Sequence, residues 1–104
     1  MSRRLIIRPE AEADIIKAAV WYEAREPGLG LGFTSEIHAA IERAFQTPLL
    51  YLHLRETPHV RRILVRRFPY RAFYIVRVDA IVLFAVLHAA QHERHWEQRM
   101  KELQ

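Results

Sequence analysis

A chain of 104 residues, 51% hydrophobic and 27% charged, is long enough to bury one hydrophobic core, so a single domain spanning 1–104 is expected. It has no cysteine, which excludes a disulfide framework and a thiolate zinc site. The formal charge of +4 favours an anionic partner, and the longest apolar stretch, Ala80 to Leu87, is too short to span a bilayer. Met1-Ser2-Arg3-Arg4 does not lead into a secretory apolar segment, so the expectation is a cytoplasmic protein with no membrane partner.

Leu5-Ile6-Ile7 is a short β-branched run closed by Pro9 and reads as a first strand. Pro9 suits the first position of a helix, and Glu10, Glu12 and Asp14 put negative charge at its positive end. That helix is predicted to run to about Arg25, with Ala11, Ile15, Ala18 and Tyr22 as its core stripe and Ile16, Ala19 and Val20 widening the face. Trp21 and Tyr22, at helical spacing, read as core. The segment Glu26 to Gly32 holds all three glycines and is predicted to be the sharp turn into a second helix from about Phe33 to Gln46, ended by Thr47-Pro48. A phosphate loop is the poorer reading of these glycines, because they follow a helix and lack a Gly-Lys-Ser/Thr sequence.

Residues 49–59 carry no pattern. Val60 to Arg67 reads as a strand whose Ile63-Leu64-Val65 centre suits burial on both faces. Phe68-Pro69-Tyr70 turns the chain, and Arg71–Val78 and Ala80–Leu87 read as the arms of a hairpin around Asp79. Gln91 to Gln104 places His92, Trp96, Met100 and Leu103 at helical spacing, in a helix short enough to need docking. The expected architecture is α+β: an N-terminal αα-hairpin covering a small, mainly antiparallel sheet, in the order β-α-α-β-β-β with a C-terminal helix.

The charge is unevenly spread. Between Arg55 and Arg77 stand seven arginines against one acid, Glu56. A genome bias toward arginine accounts for 14 Arg beside 2 Lys, but not for their clustering. Aromatic residues interleave with these cations, so a cationic, stack-capable surface on a sheet is expected.

Two chemistries suit such a surface. RNA cleavage needs a base for the 2′-hydroxyl, an acid for the departing oxygen and cations for the phosphorane. Arginine is too basic to be the base, which leaves His88, Tyr70 or Tyr74, with Arg62, Arg67 and Arg71 stabilising charge. Both lysines, Lys17 and Lys101, lie elsewhere in sequence, so the patch is read as lacking a lysine. The other use is binding a protein or nucleic acid through Arg61, Arg62, Arg66, Arg67, Arg71, Tyr74, Trp96 and Arg99. His88, His92 and His95 have a spacing that would gather a metal on one helix, but His88 closes a predicted strand, so no metal and no cofactor is expected. For His88 itself the plain alternative is a half-buried histidine hydrogen-bonded to backbone.

The order of these elements resembles the RelE/ParE superfamily of type II toxin–antitoxin toxins. The resemblance runs from Leu5 to Arg99 and is carried by Pro9-Glu10-Ala11, Trp21-Tyr22-Glu23, Gly30-Leu31-Gly32-Phe33 and Pro48. Further on it rests on Arg62 with Leu64, Phe68-Pro69-Tyr70 with Tyr74, Val86-Leu87-His88, and Trp96 with Arg99. It implies a small toxin neutralised by a cognate antitoxin. ParE-like members act on DNA gyrase, whereas RelE-like members cut mRNA on the ribosome with a lysine, arginine and tyrosine set. The helical-hairpin motifs and the lack of lysine in the sheet half are closer to the ParE branch. Relatives often carry arginine soon after the strand-end histidine. Here the residues are Ala90 and Gln91, which argues further against a nuclease.

Overall fold

The structure is a computed structural model that describes residues 3–51, 53–54, 57–91 and 94–102. Its elements are β1 (Arg4–Ile7), α1 (Pro9–Arg25), α2 (Leu29–Gln46), β2 (His53–Leu54), β3 (Thr57–Leu64), β4 (Tyr70–Val76), β5 (Ala80–His88) and α3 (Arg94–Glu102). The strands form one sheet in the order β1-β5-β4-β3-β2, antiparallel except where β1 runs parallel to β5. The predicted α+β architecture is therefore present, with one addition. The two-residue β2, inside the unpatterned 49–59 segment, is too short to carry a periodic signal.

Two apolar layers sandwich the sheet. The αα-hairpin contributes Ala11, Ile15, Ala18, Phe33, Ile37 and Ile41 to one, against Ile63, Ala72, Tyr74, Leu83 and Val86. α3 contributes Trp96 and Met100 to the other, against Val60, Phe73, Ile75, Phe84 and Leu87. Trp96 stacks on Phe73 at 5.9 Å between ring centroids, which supplies the docking that a nine-residue helix needs. His92 and Leu103 of the predicted tail helix lie outside the described residues.

Several expectations need correction. Ile16, Val20 and Trp21 are 57%, 64% and 52% exposed, so beyond the α1 core stripe only Ala19 of the widening residues packs against the core. Leu64 is 62% exposed while Ile63 and Val65 are buried. β3 is thus buried on one face at that point, not on both, because α3 does not reach over it. The second helix begins at Leu29, four residues earlier than predicted, so Gly30 and Gly32 are helical and only Gly28, at φ +90°, makes the turn.

The early start of α2 has a local cause. The Glu23 carboxylate accepts hydrogen bonds from the Gly28 N–H (3.0 Å) and the Gly30 N–H (3.0 Å), taking up donors that a helix N-terminus leaves free. A Cβ on Gly30 would lie 2.6 Å from the Ala19 carbonyl oxygen, so glycine there lets the two helices close together.

Candidate functional site

The arginine cluster does not form one surface. Strand alternation sends Arg61 to the helical-hairpin face and Arg62 to the other, and likewise separates Tyr70 from Arg71. Arg61 donates through Nη1 to the carbonyls of Leu49 (3.2 Å) and Tyr51 (2.7 Å), so it fastens the 47–51 loop. Tyr74 is 1% exposed and its hydroxyl donates to the Pro48 carbonyl (2.7 Å) in the same loop. Burial pushes the Tyr74 phenol up to about 12. Arg67, in the β3–β4 turn with φ +71°, lies 3.7 Å from the Glu36 carboxylate. Arg66 is exposed in the same turn. Arg62 and Arg71 remain half-buried on the α3 side of the sheet, where Leu64 is exposed beside them.

The two proposed binding residues of the tail are also committed elsewhere. Trp96 is buried. Arg99 forks onto the Asp14 carboxylate, with Nη2 2.9 Å from Oδ1 and Nη1 against Oδ2, and its Nη1 also reaches the Phe84 carbonyl at 3.3 Å. Hydrogen bonding to Asp14 raises its pKa further above the ordinary arginine value.

This ion pair sits at a break in the sheet. β1 ends at Ile7, and past Leu83 the edge of β5 has no strand beside it. A register shift opposite Phe73 and Tyr74 leaves Phe84 as an extra, unpaired residue. Side chains take over the backbone groups of that edge. Asp14 Oδ2 accepts from the Val86 N–H (2.9 Å), and Gln91 Oε1 accepts from the His88 N–H (2.8 Å).

Next to this edge, α1 and the end of β5 enclose a cleft of about 540 Å³. Lys17 and Trp21 line one wall, Tyr70 and His88 the other. Tyr70 pairs directly with His88 across β4 and β5, and their rings meet edge to face at 5.2 Å. His88 Nδ1 accepts from the Ala90 N–H (2.9 Å), the backbone-bonded arrangement named above as the alternative, so the neutral ring carries its proton on Nε2. Burial, with the nearby Tyr22 and Asp14, raises the Tyr70 pKa.

The nuclease candidates are thus not gathered. Tyr70 and His88 share the cleft, Tyr74 is in the core, Arg62 and Arg71 are on the opposite face, and Arg67 is in a turn. The reading that no lysine stands near these residues is corrected, because Lys17 joins Tyr70 and His88 across the fold. The sequence carried half of this: Asp14, Lys17 and Trp21 follow one another at helical spacing on a stripe beside the α1 core, but which strand end that stripe faces is set by the fold. Among the described residues no cluster of His, Asp and Glu is arranged to hold a metal, and no helix is long and apolar enough to cross a membrane.

Comparison with known structures finds the same fold in toxins. A chain of the chromosomal ParDE toxin–antitoxin system of P. aeruginosa superposes with a TM-score of 0.74 at 20% identity, covering 83% of this chain and 95% of that one. A mutant of E. coli toxin RelE in the free state gives 0.74 at 18% identity and 100% coverage of both. The isolated E. coli RelE toxin gives 0.62 at 18% identity, covering 99% and 100%. Comparison with curated protein sequences gives no match. The family described as ParE toxin of type II toxin-antitoxin system, parDE, matches residues 5–93, and with that span the chain belongs to the ParE toxin family.

Proposed function

We propose that this toxin acts by inhibiting DNA gyrase in the cytoplasm, without nuclease chemistry of its own, and that a cognate antitoxin neutralises it. One observation carries the first part. Tyr74, one of the two tyrosines read from sequence as a base for RNA cleavage, is sealed in the core with its proton committed to Pro48. A phenol held near pKa 12 is a poor base at neutral pH. His88 Nδ1 is engaged by the Ala90 N–H and so is not free to accept from a 2′-hydroxyl. Arg62 and Arg71, with exposed Leu64 between them in the sheet, then serve as a cationic and apolar contact surface.

The test is addition of the purified protein to gyrase with supercoiled plasmid and ATP. Accumulation of cleaved DNA is expected, and Arg71→Glu is expected to reduce it by about tenfold or more. Folded toxin that leaves active gyrase unaffected would transfer the function to ribosome-dependent mRNA cleavage, or to a module that only binds its antitoxin or nucleic acid. The antitoxin is tested separately: a ligand selective for the native state must raise the melting temperature. No rise with saturating product of the neighbouring gene would reject that pairing.

A further inference from the structure

We propose that the cleft between α1 and the end of β5 binds a nucleoside phosphate, with the base against Trp21 and Tyr70 and the phosphate among Lys17, His88 and Gln91.

The polar side chains of the cleft wall mostly offer donors, and of the free groups only the two tyrosine hydroxyls can also accept. Lys17 is exposed and has no ion-pair partner among the described residues. The Tyr22 and Tyr70 hydroxyls line the cleft without a hydrogen-bond partner among the described residues, and burial raises both pKa values so that they keep their protons. His88 presents Nε2–H because Nδ1 is used by Ala90. Gln91 has its oxygen on the His88 N–H, which leaves its amide NH₂ to donate. The one carboxylate on the wall, Asp14, already accepts from Arg99 and Val86. A site that offers donors and withholds acceptors selects an oxyanion.

Size and shape narrow the class. A volume of about 540 Å³ is far more than a bare phosphate fills, and it lies in the range of small-molecule sites. Aromatic rings supply the rest of the wall. Trp21 is braced by the Arg25 guanidinium 3.6 Å from its ring centroid and by Tyr22 edge-on at 5.1 Å, yet remains 52% exposed. A fixed, exposed indole beside a donor cluster matches a planar base joined to a phosphate. The same chemistry is offered by a free mononucleotide and by the terminal nucleotide of a nucleic-acid strand.

The experiment is calorimetric titration of the full chain with AMP and, separately, with a 5′-phosphorylated deoxyadenosine trinucleotide. Adenosine, inorganic phosphate and N-acetylglutamate serve as comparators. Saturable AMP binding, at least about tenfold tighter than any comparator and weakened about tenfold by Lys17→Ala and by Trp21→Ala, is the expected result. Binding of the trinucleotide alone, with the same losses in both variants, supports the site and assigns the strand end as its source. Both side chains are exposed, so the variants are expected to fold, and a melting curve checks this. The inference is overturned if neither nucleotide binds the folded protein, if N-acetylglutamate binds as well as AMP, or if both variants bind unchanged. The readout needs no gyrase, so it stands or falls apart from the proposed target.

Discussion

Asp14 on α1 and Arg99 on α3 clasp the edge of β5 where β1 has ended, and through it they tie together the two layers that flank the sheet. The pair is part-buried, with side chains 16% and 23% exposed, so each partner depends on the other for solvation. Removing either one leaves a poorly hydrated charge. A double-mutant cycle of Asp14→Ala and Arg99→Ala, read by urea unfolding, is expected to show a coupling energy of about 1–3 kcal/mol. A coupling near zero would mean the ion pair is only geometric.

Glu23 and Gly30 set the angle of the helical hairpin. Gly30→Ala gains about 1 kcal/mol of helix propensity. Against that, its methyl group would have to push aside the Ala19 backbone from 2.6 Å, an overpacking cost of about 1–3 kcal/mol. Net destabilisation is expected. Glu23→Ala is expected to lose about 1 kcal/mol by leaving the N–H groups of Gly28 and Gly30 without the carboxylate. Chemical denaturation of both variants decides it.

Tyr74 gives an alkaline signature. An unfolded phenol ionises near pH 10, whereas in the fold it holds its proton to about pH 12. The folded state therefore binds more protons in that window, and stability falls as pH rises from about 10 to about 12. Tyr74→Phe is expected to flatten this part of the stability curve and, by freeing the Pro48 carbonyl, to cost about 1 kcal/mol at neutral pH. Unfolding curves at pH 7, 10 and 11 would show both effects.

Arg67 is the only described non-glycine residue with positive φ. Its exposed guanidinium stands 3.7 Å from the part-buried Glu36 carboxylate, a long contact of little worth, whereas a left-handed backbone costs a side-chain-bearing residue about 1 kcal/mol. Arg67→Gly is expected to leave thermal stability unchanged or raise it slightly. A drop of several degrees would show that the arginine holds the turn.

The elements with strong periodic or β-branched patterns were legible in sequence: β1, α1, the αα-hairpin and the β4–β5 hairpin. What escaped depends on contacts between distant residues. The start of α2 at Leu29 rests on a carboxylate from the preceding helix, and the exposure of Leu64 rests on how far α3 extends. The arginine tract looked like one patch although strand alternation already sends Arg61 and Arg62 to opposite faces; what sequence does not show is that the Leu49 and Tyr51 carbonyls take up Arg61. The cleft was hidden because Lys17 and His88 come to line one cleft only when α1 lies along the uncovered edge of β5.

The parallel pairing of β1 with β5 has a consequence for how the toxin is made. Arg4 to Ile7 register against Ala80 to Leu83, so β1 has no neighbour until β5, the last strand of the sheet, has been made. A contact between segments so distant in the chain is a slow one to close. A translation product that stops before Ala80 lacks both the partner of β1 and a neighbour of β4, and a sheet reduced to β2, β3 and β4 has lost its most buried strand. Termination before Ala80 thus removes the strand on which both apolar layers of the toxin are built.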